Sequence, residues 1–335
     1  MKLVTRGALI RLLVLVALPA LAAWWFLLRM PGRRFEGAPG AADPALVAEL
    51  RRDVGAFGER NVFHPQALEA AAARIEAELR AAGYAPAGQE YEVGRTTVRN
   101  IEAEVRGGAE IVVVGAHYDS VAGSPGANDN GSGVAATLAL ARRFAKGAPR
   151  RTLRFVFFVN EEPPWFQGKD MGSLRYARRC RERDEDVVAM LSLETLACFS
   201  NESGSQRYPI RGLGLLYGDR GNYVAFVGNV ASRGLVREAV GLFREHARIP
   251  SEGIALWDFV PGVGWSDHWA FWECGYRAVM VTDTAPFRYP HYHQETDTPD
   301  RLDYDGLARV VEGLVPVVAG LAELPAGTDR APTSR

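Results

Sequence analysis

Cysteine is scarce in this chain: Cys180, Cys198 and Cys274 are the only three in 335 residues. The odd count and wide gaps exclude a disulfide framework and any site built from paired thiolates. They leave room for one bridge if the chain folds in an oxidising compartment. Neither sign of charge is in excess. Lys plus Arg is 39 and Asp plus Glu is 40, a formal net charge of -1. Nothing basic is offered to nucleic acid, and there is no acidic tail. No internal repeat is visible. Ser266 lies in Gly-Trp-Ser-Asp-His rather than in the elbow that surrounds the nucleophile of a serine hydrolase.

One long apolar run is present, near the N-terminus. Lys2, Arg6 and Arg11 precede an uncharged stretch over 12–28, and Arg29 ends it. Ala20-Leu21-Ala22 has the form of a signal-peptide cleavage site. Yet Ala23, Trp24, Trp25, Phe26, Leu27 and Leu28 extend the run to about the minimum for a membrane span, with aromatics placed for an interface. Residues 1–30 are therefore expected to be an uncleaved signal anchor that meets the membrane through residues 8–28. A cleaved signal peptide is the alternative. The first reading makes the remainder membrane-anchored and extracytoplasmic, the second secreted or periplasmic. Residues 31–44, rich in Gly, Pro and Ala, read as a linker, and 325–335 as a disordered tail.

Two helical patterns follow the linker, over 46–57 and 65–82. The second carries Leu68, Ala72, Ile75 and Leu79 along one stripe and stops at Gly83. Residues 91–93 and 97–105 alternate like half-buried strands. From residue 110 the pattern changes to short, largely apolar strands over 111–114, 153–159, 187–193 and 278–281. Helical patterns lie over 133–144, 172–179, 232–246 and 304–322. Continuous apolar strands alternating with helices predict an α/β fold on a mostly parallel sheet covered on both faces.

In such sheets ligands bind beyond the carboxyl ends of the strands. The first apolar strand leads to His117 and Asp119, then to a glycine-rich loop with Asn128, Asp129 and Asn130. The second ends in Asn160-Glu161-Glu162, the third in Glu194, and the fourth leads to His291, Tyr292 and His293. Imidazoles and carboxylates without thiolates suit zinc in a hydrolytic site, ahead of manganese or cobalt. Carboxylates outnumber histidines, which suits two ions about 3.5–4 Å apart sharing one carboxylate. Asp119 can accept the second ring N–H of His117, and Asp297 can do the same for His293. Ser266-Asp267-His268 sits among Trp257, Trp265, Trp269, Phe271 and Trp272. Either Asp267 or His268 acts on the substrate side, orienting or stabilising an oxyanion, or the two form a structural pair beneath a pocket wall. His64 and His246 read as surface residues.

Ala-His-Tyr-Asp-Ser at 116–120, Asn-Asp-Asn-Gly-Ser-Gly at 128–133, Asn-Glu-Glu-Pro-Pro at 160–164 and Tyr-His-Gln-Glu-Thr-Asp-Thr at 292–298 occur in that order. Together they resemble the co-catalytic zinc aminopeptidases, the family of bacterial leucyl aminopeptidase, aminopeptidase S and glutamate carboxypeptidase II. The resemblance covers residues 95–320 and implies a three-layer α/β/α sandwich on a mixed sheet, with one peptidase domain over 45–324. It implies two zinc ions. His117 and Glu194 would bind the first, Glu162 and His293 the second, and Asp129 would bridge them. Glu161 would be the general base, and the substrate a peptide. Glu194 stands where the family usually has Asp. Two other readings share the fold: a non-catalytic, receptor-like ectodomain, and a one-zinc enzyme like the glutaminyl cyclases.

Overall fold

The computed structural model describes residues 6–210 and 212–324. An eight-stranded sheet runs through the centre. Its strands are β1 (Ala87–Val93), β2 (Thr96–Val105), β3 (Gly108–His117), β4 (Arg151–Phe158), β5 (Asp186–Glu194), β6 (Val224–Asn229), β7 (Ser251–Leu256) and β8 (Ala278–Thr282). Their spatial order is β1-β2-β4-β3-β5-β8-β6-β7. The four strands expected from apolar runs, β4, β3, β5 and β8, are adjacent and parallel. The strands flanking them, β2 and β6, pair antiparallel to this group. The β6 and β7 strands are additions to the sequence reading. Each is six residues long, and β7 carries Gly253 in its middle, which weakens a strand pattern.

The parallel strands are apolar on both faces because both are covered. On one face Val112, Val114, Phe155, Leu191 and Val281 pack in the same core as α2 (Pro44–Val54), α3 (Pro65–Ala81), α4 (Gly133–Phe144), α7 (Arg233–His246) and α9 (Tyr304–Leu321). On the other, Val113, Val156, Phe158 and Met190 meet Tyr176, Ala177 and Phe271 from α5 (Gly172–Glu182) and α8 (His268–Glu273). This is the α/β/α sandwich. Helix α4 starts hard against β5: a Cβ on Gly133 would lie 2.3 Å from the Leu193 carbonyl, so only glycine fits. On the second face, helix cover thins over β6 and β7, where Trp272 of α8 still packs. Loops close over Tyr223, Ala225 and Val227 there, with Val263 packed against them.

The stretch expected to anchor the chain forms helix α1 (Arg6–Leu27), which ends beside β7. Among the described residues, no helix is long and apolar enough to cross a membrane. The predicted disordered tail, 325–335, lies outside the described residues. The three cysteines are free.

Candidate active site

The parallel strands β3, β4, β5 and β8 end at one edge of the sheet, and their last residues carry the polar groups. His117 is the final residue of β3 and Glu194 the final residue of β5; Glu161 and Glu162 follow β4. The chain turns sharply at that edge. Asn160 (φ 60°), Thr195 (φ 45°) and His293 (φ 57°) all have left-handed backbone, which costs a non-glycine residue about 1–3 kcal/mol. Three such residues at one edge mark a place where side-chain direction is held against backbone preference.

The loop containing Asp129 shows how this is done. Asn130 donates from Nδ2 to the Leu193 carbonyl, and its Oδ1 accepts from the Thr195 and Gly133 amides. Asn128 accepts from the Ala197 amide and donates to Asp283. The two asparagines thus zip the loop to the end of β5 and satisfy buried backbone groups on either side. Asp129, between them, is left free to point at the histidines. Asp297 accepts the Asn128 and Asp129 amides at 2.8 and 3.1 Å and the Tyr289 hydroxyl at 2.9 Å.

Two groups of donors result. In one, His117, Glu161 and Glu194 bring ligand atoms within 4.8 Å of one another; in the other, Asp129, Glu162 and His293 do. His117 Nε2 lies 3.2 Å from Glu194 Oε2, 3.5 Å from Asp129 Oδ1 and 3.8 Å from Glu161 Oε2. His293 Nε2 lies 3.1 Å from Asp129 Oδ2 and 3.2 Å from Glu162 Oε2. Asp129 therefore turns one oxygen to each group. His293 Nε2 is buried near two carboxylates yet hydrogen-bonds to neither. A ring nitrogen without a bond, held between two carboxylates, fits a cation.

The electrostatics agree. Burial, with Glu194 and Glu162 nearby, holds the Glu161 carboxyl well above its ordinary value. Burial and Asp129 push Glu162 up to about 7, and burial raises Glu194. His117 and His293 move the other way from burial, because the carboxylates around them outweigh it; His293 rises to about 10. Four carboxylates and two imidazoles share one buried space with too much negative charge. Divalent cations relieve that repulsion.

Other expectations meet the structure differently. Asp119 reaches His117 Nδ1 with its carbonyl at 3.3 Å and its carboxylate at 3.6 Å. The carboxylate also accepts the Glu161 and Glu162 amides, each at 3.2 Å, and so ties β3 to the end of β4. Asp297 was expected beside His293. Instead it holds the loop amides around Asp129, which arrive within reach only after folding. His268 turns away from the groups, with Nε2 against the Val263 carbonyl at 2.7 Å and its ring edge-on to Trp272. Asp267 is fully buried with neither carboxylate oxygen hydrogen-bonded. Burial pushes it up to about 7, and the charge of Glu194 adds to the rise.

Two roles escaped the sequence reading. Ser266 donates to Glu194 Oε2 at 2.6 Å and shares a 3.0 Å contact with Ser192. Arg60, only 1 % exposed, donates to the carbonyls of Gly58, Tyr118, Pro125 and Gly126. It clamps the segment between His117 and Asp129. Its buried guanidinium falls to about 10 through desolvation, opposed by Asp119, Asp297, Asp129 and Glu162. A buried arginine far upstream carries no local signal in sequence. Beside the two donor groups, an apolar pocket lined by Tyr223, Ile254, Trp265, Met280 and Phe287 opens next to Glu194 and Tyr292.

The model of peptidase family M28 matches residues 100–318. The chain belongs to that family. This is the metallopeptidase class that the ordered motifs implied. The M28 chain is 36% identical over 216 residues to the uncharacterized protein YfbL of Escherichia coli, a match covering 61% of this chain and 64% of that one. It is 27% identical over 232 residues to a probable leucine aminopeptidase of Arthroderma otae, covering 64% and 55%. The match thus spans less than two thirds of either relative. Among solved structures it resembles LapB from Legionella pneumophila, with a TM-score of 0.65 at 16% identity over 88% of this chain and 78% of that one, a likeness of fold.

Proposed function

We propose that this M28 chain is a zinc-dependent aminopeptidase that removes an apolar first residue from peptides. One observation carries the reading: Asp129 directs Oδ1 toward His117 and Oδ2 toward His293, as a carboxylate shared by two ions would. His117 and Glu194 would hold one zinc, Glu162 and His293 the other. Zinc bound there polarises a carbonyl and lowers the pKa of water to about 7. Glu161, buried beside both groups, would take the proton of the attacking water and return it to the leaving amine. The likeness to a probable leucine aminopeptidase supports attack at the amino end. The apolar pocket beside Glu194 supports a Leu, Met or Phe side chain at the cleaved position.

An extracytoplasmic place for the catalytic domain is part of the same reading. It rests on the N-terminal apolar run, which as signal anchor or as signal peptide would carry the remainder across the membrane, and fractionation of cells expressing the full chain tests it. The enzymatic reading is tested by counting metal in the purified chain and sequencing a peptide-library digest by mass spectrometry. Two zincs per chain with loss of apolar N-terminal residues is the expected result. One zinc with pyroglutamate formation would replace it with the cyclase reading. No hydrolysis at full metal loading would replace it with the receptor-like one.

A further inference from the structure

Apart from Phe63, every large apolar side chain left exposed among the described residues lies on α1, in 210–216 or in 257–265. Leu215 is 92 % exposed, Phe259 79 % and Trp257 52 %. These segments are distant in sequence, but all three flank β7, the last strand of the sheet. The end of α1 meets β7, and Met30 packs so close to Gly253 that a Cβ there would lie 2.8 Å from it. Helix α6 (Leu213–Tyr217) reaches the same strand through the Tyr217 hydroxyl, 3.4 Å from the Gly253 carbonyl. Trp257 directly follows β7 and stacks with Phe259 at 6.2 Å. Leu256, at the end of β7, pairs with Asn229 of β6, and four residues on Arg233 covers the Phe26 ring at 4.1 Å.

Cations line the α1 side of this edge. Arg29 lies 3.7 Å from the centre of the Trp25 ring, and Arg237 donates to the Arg29 carbonyl. Aromatic side chains beside arginines, bordering wholly apolar ones, have the composition of a lipid interface. The rings and arginine stems lie at headgroup depth, with aliphatic groups below. The positive charge selects the partner's sign. Leu215, Leu216, Trp257 and Phe259 take no part in the walls of the substrate pocket, so this exposure is not explained by the active site.

We infer that the β7 edge of the domain, formed by the end of α1, α6 and the Trp257–Phe259 turn, is a docking surface for a lipid bilayer containing anionic headgroups. The inference concerns the catalytic domain's own surface and is independent of its peptidase activity.

The test is hydrogen–deuterium exchange of the full chain, with and without vesicles of phosphatidylcholine containing phosphatidylglycerol. Amides in 213–217 and 257–260 should exchange at least about fivefold more slowly on these vesicles, and less so on phosphatidylcholine alone. The double variant L215D/F259D should lose the slowing while hydrolysing a soluble aminoacyl substrate at the original rate. Unchanged exchange on anionic vesicles would overturn the inference. So would equal protection without lipid together with a dimer mass by light scattering, which would assign the face to a second copy of the chain. Because exchange is read without substrate, failure here is distinct from failure of the aminopeptidase reading.

Discussion

Ser266 donates a 2.6 Å hydrogen bond to Glu194, and Ser192 lies 3.0 Å from the same hydroxyl. Glu194 reaches one methylene further than the aspartate usual at its position in the family, and has one more rotor to hold still. The serine pair supplies the constraint. Ser266→Ala is expected to weaken binding of one of two zincs by about 10–100-fold, the usual effect of removing a group that orients a ligand. Chelator competition on the purified chain reads the loss directly. Unchanged affinity for both ions would remove Ser266 from this role.

Glu161 falls in the same donor group as His117 and Glu194, so its role as base rather than ligand needs its own test. Glu161→Gln keeps size and removes the basic oxygen. Metal content is expected to stay at the original value while kcat falls by about 10²–10⁴-fold. Loss of one zinc per chain would instead make Glu161 a ligand.

His268 gives a pH dependence of stability. Burial pushes its pKa down from 6.5 to about 4. As pH falls through 6.5 the unfolded chain takes up a proton at this ring, whereas the folded chain resists until about 4. The histidine's contribution is therefore full above about 6.5 and is lost on the way down to about 4, by about 3 kcal/mol. Urea unfolding at a series of pH values should show that slope. His268→Gln, which keeps a donor for the Val263 carbonyl, should flatten it.

Arg60 joins four backbone carbonyls and offsets the nearest carboxylates. Arg60→Met strands those carbonyls and leaves the carboxylates uncompensated. It should cost about 3–5 kcal/mol in chemical unfolding of the metal-free chain, the range for breaking a buried charged network. Added zinc should recover part of the loss by binding only the folded state.

By itself the sequence determined the parallel centre of the sheet and the edge where chemistry collects. Strands buried on both faces are largely apolar, so the polar residues gathered at their ends stand out. His117, Glu161, Glu162 and Glu194 are candidates for that reason, and Asp129 and His293 from their motifs; the fold gathers the six into two donor groups. Tertiary structure alone decided the rest. Asp297 serves the loop amides rather than His293, His268 faces away, and Ser266 rather than its neighbours touches a candidate ligand. Arg60 arrives from upstream of the family match. The two unread strands, β6 and β7, supply the pocket floor and the edge where exposed apolar residues gather. Apart from the local contacts of His268, each of these is a pairing between groups far apart in the chain. Local pattern records which residues can be buried or charged, but which partner completes each of them is settled only when distant segments pack.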